Sequence, residues 1–247
     1  MTELSLIVPA YNAATFLQAT LVRLREWLLV HESAEIIVVD DGSSDQTAQI
    51  AEAFARNCSR LSVLRLEQNS GKGAALRVGI GTACGQYIAF TDVDLPYGLA
   101  VLDEMFETLK QNPPLAFLYG SRSHRLSAEQ KGYGLFRSYY SRLGRRGVAF
   151  FLRFFGIGDV KDTLCGVKMM TKELSTTIIA KATVNRFAMD IEWFVIARVN
   201  RYQYQDFPVE LNHRKESSLR LVRDTFLIFG DIVCMAFRYL SGYYYVH

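Results

Sequence analysis

The chain has 247 residues, half of them hydrophobic and about a fifth charged, with a formal net charge of +3 at neutral pH. That length gives one large domain or two small ones with a sizeable core. So small a net charge excludes any case for nucleic acid resting on charge alone. No run reaches 18 uninterrupted apolar residues, and the best candidate for a span, Thr225 to Leu240, carries Asp231 and Arg238 and is short for crossing a bilayer. The four cysteines (Cys58, Cys84, Cys165 and Cys234) show neither metal nor disulfide spacing, which suits a reducing cytosol. The N-terminus enters a strand by Leu4, so no signal peptide is expected.

In chain order, Leu4 to Val8 reads as a short apolar strand ended by Pro9, and Thr15 to Val30 has helical apolar spacing through Phe16, Leu17, Leu21, Leu24 and Leu28. Glu35 to Val39 is a second strand, apolar enough to be buried on both faces, and it ends in Asp40-Asp41-Gly42. Gly42 is expected to supply a positive φ there. Asp45 is placed to cap a helix from Gln46 to about Arg56. Leu61 to Leu66 is a third strand, and Asn69-Ser70-Gly71-Lys72-Gly73 leads into a helix from Ala74 to about Thr82. Tyr87 to Thr91, a helix over Gly98 to Lys110, and a strand over Leu115 to Gly120 complete an alternation that predicts a parallel sheet with helices on both faces. After Gly120 the rhythm breaks. Between Arg122 and Arg153 there are eight Lys or Arg and one acid, Glu129, interleaved with aromatic residues, as in a helix lying at an anionic membrane surface. A helix near Asp190 to Asn200, a strand over Tyr204 to Glu210 and a last helix from about Ser217 to Leu240 follow. The simplest division is a nucleotide-sugar-binding half, residues 1–120, and an acceptor half, residues 121–247, within one α/β domain.

Chemistry concentrates at strand ends. In an open α/β sheet, ligands collect at the carboxyl ends of the strands. Asp92 and Asp94 stand there one residue apart, two hard oxygen donors suited to Mg²⁺ or Mn²⁺ shared with substrate phosphates. Asp40 and Asp41 end a neighbouring strand, where they can accept hydrogen bonds from a base or ribose. Lys72 at a helix N-terminus can face a phosphate. The Gly71-Lys72-Gly73 stretch lacks the third glycine of a dinucleotide fingerprint and follows the third strand, which rejects that reading.

Taken together, Val8-Pro9-Ala10-Tyr11-Asn12, Val38-Val39-Asp40-Asp41-Gly42-Ser43, Asn69-x-Gly71-Lys72-Gly73 and Asp92-x-Asp94 resemble inverting family 2 glycosyltransferases of the GT-A fold. Gly120-Ser121-Arg122, Asp162-Thr163-Leu164-Cys165-Gly166 and Asp190-Ile191-Glu192 are similar to the dolichyl- and polyprenyl-phosphate sugar synthases, glucosyl or mannosyl. The resemblance implies a hexose moving from UDP-glucose or GDP-mannose to dolichyl or polyprenyl phosphate. It implies that Pro9, Ala10, Tyr11, Val39, Asp40 and Asp41 surround the nucleoside, that Asp92 and Asp94 hold metal and diphosphate, and that Asp162 lines the sugar pocket. By the same resemblance Arg122, Arg137 and Ser141 face the lipid phosphate, and Arg214 and Arg220 clamp the donor diphosphate. With a phosphate acceptor, Asp190 or Glu192 is expected to hold sugar hydroxyls or to order the loop; with a hydroxyl acceptor, one of them is the base. Two departures stand out: the family often reads Tyr-Asn-Glu where this chain has Ala13, and some members carry Gln where it has Pro96. The protein implied is a monotopic enzyme on the cytoplasmic face of a membrane, attached by interfacial helices or through a separate membrane subunit.

Overall fold

The structure, a computed structural model, describes residues 2–122, 150–186, 188–211 and 221–246, with the backbone alone over 221–227. Seven strands form one sheet: β1 (Leu4–Ala10), β2 (Ala34–Asp40), β3 (Leu61–Arg65), β4 (Tyr87–Thr91), β5 (Leu115–Ser121), β6 (Val167–Thr171) and β7 (Gln203–Pro208), in the order β3-β2-β1-β4-β6-β5-β7. Among the described residues it is flanked by α1 (Ala14–Val30), α2 (Thr47–Ala55), α3 (Lys72–Thr82), α4 (Ala100–Gln111), α5 (Lys172–Lys181), α6 (Met189–Val199) and α7 (Leu221–Leu240), and residues 150–154 are helical as well.

The inner strands β1, β2 and β4 are apolar on both sides, and the two-residue period of extended backbone divides their side chains between two cores. Leu6, Val8, Ile36 and Val38 meet Leu17, Leu21 and Leu24 of α1 and Leu102 and Met105 of α4 on one face. Ile7, Ile37 and Val39 meet Leu76 and Ile80 of α3, Leu174 and Ile178 of α5, and Trp193 and Phe194 of α6 on the other. Each fully buried Leu or Ile contributes about 2 kcal/mol by leaving water. Gly79 is set by this packing, because a Cβ there would meet Ile7 Cγ2 at 2.5 Å.

Several boundaries differ from the sequence expectation. β1 runs through Pro9 to Ala10. Pairing with β4 has already ended at Ile7↔Phe90, so on that side Pro9 has no ladder bond to donate to. α3 begins two residues early, which puts Lys72 in its first turn. β6 and α5 were not anticipated. Lys168 interrupts the apolar run of β6, while Thr171, whose side chain accepts the Leu174 N–H, marks the start of α5.

The larger difference is topological. β6 is antiparallel to both of its neighbours, β4 and β5, while the remaining pairs are parallel. A strand from beyond residue 160 therefore lies between two strands of the first 121 residues. Of the basic aromatic segment and the residues just after it, Arg122 and 150–155 fall among the described residues. There Phe151 packs against Phe229 and Phe155 against Tyr239, both of α7.

Candidate active site

β1, β2, β4, β5 and β7 point the same way, so Tyr11, Asp40–Asp41, Asp92–Asp94 and Arg122 gather at one edge of the sheet. β6 runs oppositely and starts at that edge, which brings the 162–166 loop to the same place.

On the side of β1 and β2, the two loops are laced together. Ser43 Oγ accepts the Asn12 N–H at 2.9 Å, and Thr47 Oγ1 accepts the Ala13 N–H at 2.7 Å. Asp45 accepts the N–H groups of both Thr47 and Ala14, so it ties α1 to α2; the N-cap position itself falls one residue later than expected, on Gln46, and α2 begins at Thr47. Ala13 is 1% exposed, and its small side chain is packed in the core rather than offered to a ligand. Tyr11 is exposed. Asp41 accepts the main-chain N–H groups of Ser70 (2.8 Å) and Gly71 (2.9 Å) and the Asn69 amide (3.1 Å), which closes the Asn-Ser-Gly loop over it. Burial pushes the Asp41 carboxyl above its ordinary value, against the pull of those N–H groups. Gly42 has φ +66° as expected, and a Cβ on it would strike the Gln68 carbonyl carbon at 2.4 Å. Gly71 has φ +97° and would place a Cβ 2.5 Å from Asn185 O. This glycine serves close packing against the 184–185 strap rather than a dinucleotide.

At the centre, Asp92 pairs with Lys72 across the end of β4. Burial alone would lower the Lys72 ammonium, but Asp92 and Asp190 outweigh it and hold the pKa above the usual lysine value. The other Asp92 oxygen rests on Gly166, where a Cβ would meet Oδ2 at 1.9 Å. Thr20 Oγ1 donates to Val93 O at 2.8 Å and pins the loop from below. Leu95, buried, has φ +48°, a costly conformation for a non-glycine residue that the surrounding core enforces. Leu95 and Pro96 thus turn inward. Asp94, partly exposed, makes no hydrogen bond or ion pair with any described residue. Among the described residues no cluster of three or more His, Cys, Asp or Glu side chains forms. Asp92 and Asp94 nonetheless fit a hard cation: both donors are carboxylate oxygens, and the coordination left over suits phosphate oxygens and water.

On the side of β5, the Arg122 guanidinium is held by Asp162 through Nε (2.7 Å) and Nη2 (2.9 Å), and its main-chain N–H donates to the same carboxylate at 3.2 Å. Burial pushes the Asp162 carboxyl up, but Arg122 outweighs it and the net pKa lies below the usual value. Cys165 and Tyr97 lie beside this pair, and burial raises both above their ordinary values. A raised thiol is a packing group, not an activated nucleophile.

The expected site residues therefore divide. Asp41, Lys72, Asp92, Asp94, Arg122 and Asp162 come together, and Tyr11 lies at the same sheet edge. Val39 and Asp40 are 0% exposed: Val39 faces the core beneath α3, and Asp40 turns to Ser43 and Arg65, with Oδ1 unpartnered. Glu192 is also 0% exposed. It accepts the N–H groups of Thr183 and Val184 and the hydroxyls of Thr183 and Tyr244, all at 2.8–2.9 Å. Asp190 is 7% exposed, with Oδ1 bound to Lys168. Arg137, Ser141, Arg214 and Arg220 lie outside the described residues. Sequence reasoning missed Lys168 and the 183–185 strap. A lone lysine inside Val167–Met170 was the available signal, since a charge in an apolar strand needs a buried partner.

The sequence model described as Glycosyl transferase family 2 matches residues 5–170. The chain belongs to this family. This glycosyltransferase is 29% identical over 252 residues to the dolichyl-phosphate beta-glucosyltransferase of Homo sapiens, covering 97% of this chain and 76% of the human protein. It is 27% identical over 258 residues to the Saccharomyces cerevisiae protein of the same name, covering 98% and 76%. Among solved structures it is similar to glucosyl-3-phosphoglycerate synthase from Mycobacterium tuberculosis in complex with Mn²⁺, UDP and glucosyl-3-phosphoglycerate. That match has 20% identity and a TM-score of 0.70, and it covers 95% of this chain and 80% of the other. The likeness shows the fold, GT-A, as the motifs imply.

Proposed function

We propose that this protein transfers glucose from UDP-glucose to dolichyl or polyprenyl phosphate, with inversion at the anomeric carbon. The carrying observation is the order of groups along the sheet edge: Asp41 beneath its loop, then Lys72 and Asp92, then Arg122 on Asp162. That order matches a nucleoside, a diphosphate and an acceptor phosphate lying end to end. The names of the relatives favour glucose and a lipid phosphate, and a beta product from an alpha-linked donor requires inversion. The neighbour with UDP and Mn²⁺ supports UDP over GDP.

Asp92 and Asp94 would hold the divalent cation, which when bound offsets the charge that develops on the departing diphosphate. Lys72, in the first turn of α3, adds a cation and a helix N-terminus on the same side. A phosphate monoester has a second pKa near 6 by analogy with phosphorylated side chains, so about neutral pH it already carries a nucleophilic dianion. No general base is required. What the chain supplies is position: Arg122, its plane set by Asp162, holds the acceptor oxygen behind the anomeric carbon. The interior bonding of Glu192 counts against the reading in which that residue is the base for a hydroxyl acceptor.

Membrane contact falls to α7. Its outward residues Phe229, Gly230, Cys234, Phe237 and Leu240 carry no charge, and Phe237 and Leu240 are 72% and 70% exposed. Among the described residues no helix is long and apolar enough to cross a membrane. We infer contact at the membrane surface, through this face or a separate membrane subunit.

The test offers purified protein polyprenyl phosphate with Mg²⁺ or Mn²⁺ and labelled UDP-glucose or GDP-mannose in separate reactions, with and without EDTA. EDTA-sensitive label entering the organic phase from UDP-glucose is the expected result. Transfer from GDP-mannose alone overturns the donor, and transfer only to hydroxyl acceptors overturns the acceptor.

A further inference from the structure

Lys168 is the second residue of β6, opposite Phe90 on one side and Tyr119 on the other, and it is fully buried. A buried ammonium without partners costs several kcal/mol. This one has three N–H donors and three acceptors: Thr163 O at 3.1 Å, Cys165 O at 2.7 Å and Asp190 Oδ1 at 2.6 Å. It also lies 5.4 Å from the Phe90 ring centroid.

Its choice of partners is informative. Two are main-chain carbonyls of one turn. That turn ends in Gly166, whose bare Cα is the surface on which Asp92 Oδ2 rests. The same loop opens with Asp162, which holds Arg122 through three hydrogen bonds. The third partner, Asp190, stands in the first turn of α6. One buried cation thus joins the seat of the cation-binding carboxylate, the support of the acceptor arginine, and the acidic start of a helix. A methionine would fill the same volume in the sheet, but it would fix neither the loop nor Asp190.

We infer that Lys168 is a positioning residue for the transfer: by clamping the 163–166 loop to Asp190 it sets the spacing between Asp92 and Arg122. It acts through those groups and touches neither substrate. The inference rests on the transferase reading above, and it adds a residue with no direct substrate contact on which both halves of the site depend.

The experiment compares wild type with Lys168→Met, Lys168→Arg, Asp190→Asn and the double variant Lys168→Met/Asp190→Asn, each normalised to folded protein by thermal unfolding. Displacing reacting groups by about 1 Å costs on the order of 100-fold in rate. The expected result is that kcat falls about that much in Lys168→Met, with donor KM changed far less, and that Lys168→Arg recovers part of the loss. The double variant replaces a buried ion pair by neutral side chains of similar volume, so it regains stability. Its kcat is expected to stay low and to fall no further than in Lys168→Met, because both changes release one clamp. A stable double variant with wild-type kcat overturns the inference, as does Lys168→Met with kcat within about threefold of wild type. A wild type that transfers no sugar fails the transferase reading instead. The clamp is then decided by UDP affinity in the presence of Mn²⁺, measured by titration calorimetry. An affinity lowered about tenfold or more in the double variant supports it, and an unchanged one overturns it.

Discussion

Replacing Glu192 separates a structural carboxylate from a catalytic base. Glu192→Leu removes an acceptor from two main-chain N–H groups and two hydroxyls in the interior. Each stranded donor costs about 1–3 kcal/mol. Removing a fully buried carboxylate also removes its own desolvation cost, which lightens the sum. The net loss is therefore about 3–5 kcal/mol, in line with breaking a buried charged network. For a chain of this size that lowers Tm by roughly 10 °C. Glu192→Gln is milder. Its carbonyl can face the two N–H groups and its amide the two hydroxyls, which are able to accept. What remains lost is charge assistance and the acceptor of the two O–H groups, together about 2–3 kcal/mol. Both variants are followed by circular dichroism melting and by kcat per folded molecule. Glu192→Gln is expected to turn over within about threefold of wild type. A Glu192→Gln protein with the wild-type Tm and abolished turnover would refute this reasoning and restore the base. So would a Glu192→Leu protein that melts within a degree or two of wild type.

Other expectations follow from the same geometry. Gly166→Ala forces its Cβ against Asp92 Oδ2, so kcat should fall about 100-fold and Mn²⁺ binding by electron paramagnetic resonance should weaken while Tm changes little. Wild-type kinetics in that variant would show that Asp92 does not sit where the structure has it. Asp162, ordinarily 3.8, lies lower in the folded protein because of Arg122. Its contribution is present in full above that ordinary value and is lost as pH falls through the lowered one. The gap in urea midpoint between wild type and Asp162→Asn should therefore be constant near neutrality and close on the acid side. A gap that widens on acidification contradicts it. Phe237→Glu with Leu240→Glu alters exposed positions on α7, so stability should move by no more than about 0.5 kcal/mol at each. Flotation with anionic vesicles should be lost, while turnover on a short, water-soluble acceptor phosphate persists; retained flotation would move the membrane contact elsewhere.

The alternation of β1 to β5 with their helices was readable because both faces of those strands are apolar and their turns carry Gly, Asp and Asn in the expected places. The reversed β6 was not. Lys168 breaks its pattern, and the reason for that lysine lies in Asp190 and the 163–165 carbonyls, groups remote in sequence. Asp41, Asp92 and Asp94 were legible as candidates because strand-end carboxylates announce themselves. Asp40 shares that strand-end setting, and Glu192 in the first turn of α6 shares only the chemistry, yet the fold turns both inward. Which way a carboxylate faces depends on partners such as Ser43, Thr183 and Tyr244, and no local pattern encodes them.

The insertion of β6 also bears on how the chain can be assembled. β5 has two partners, β6 and β7, and neither exists until the ribosome has passed residues 167 and 203. Until then β4 and β5 each expose an unpaired apolar edge, the kind of surface that recruits strands from other molecules. Closure across so long a separation is slow. The first 121 residues are thus a template awaiting its last strands, and fragments cut near residue 121 should aggregate when expressed alone.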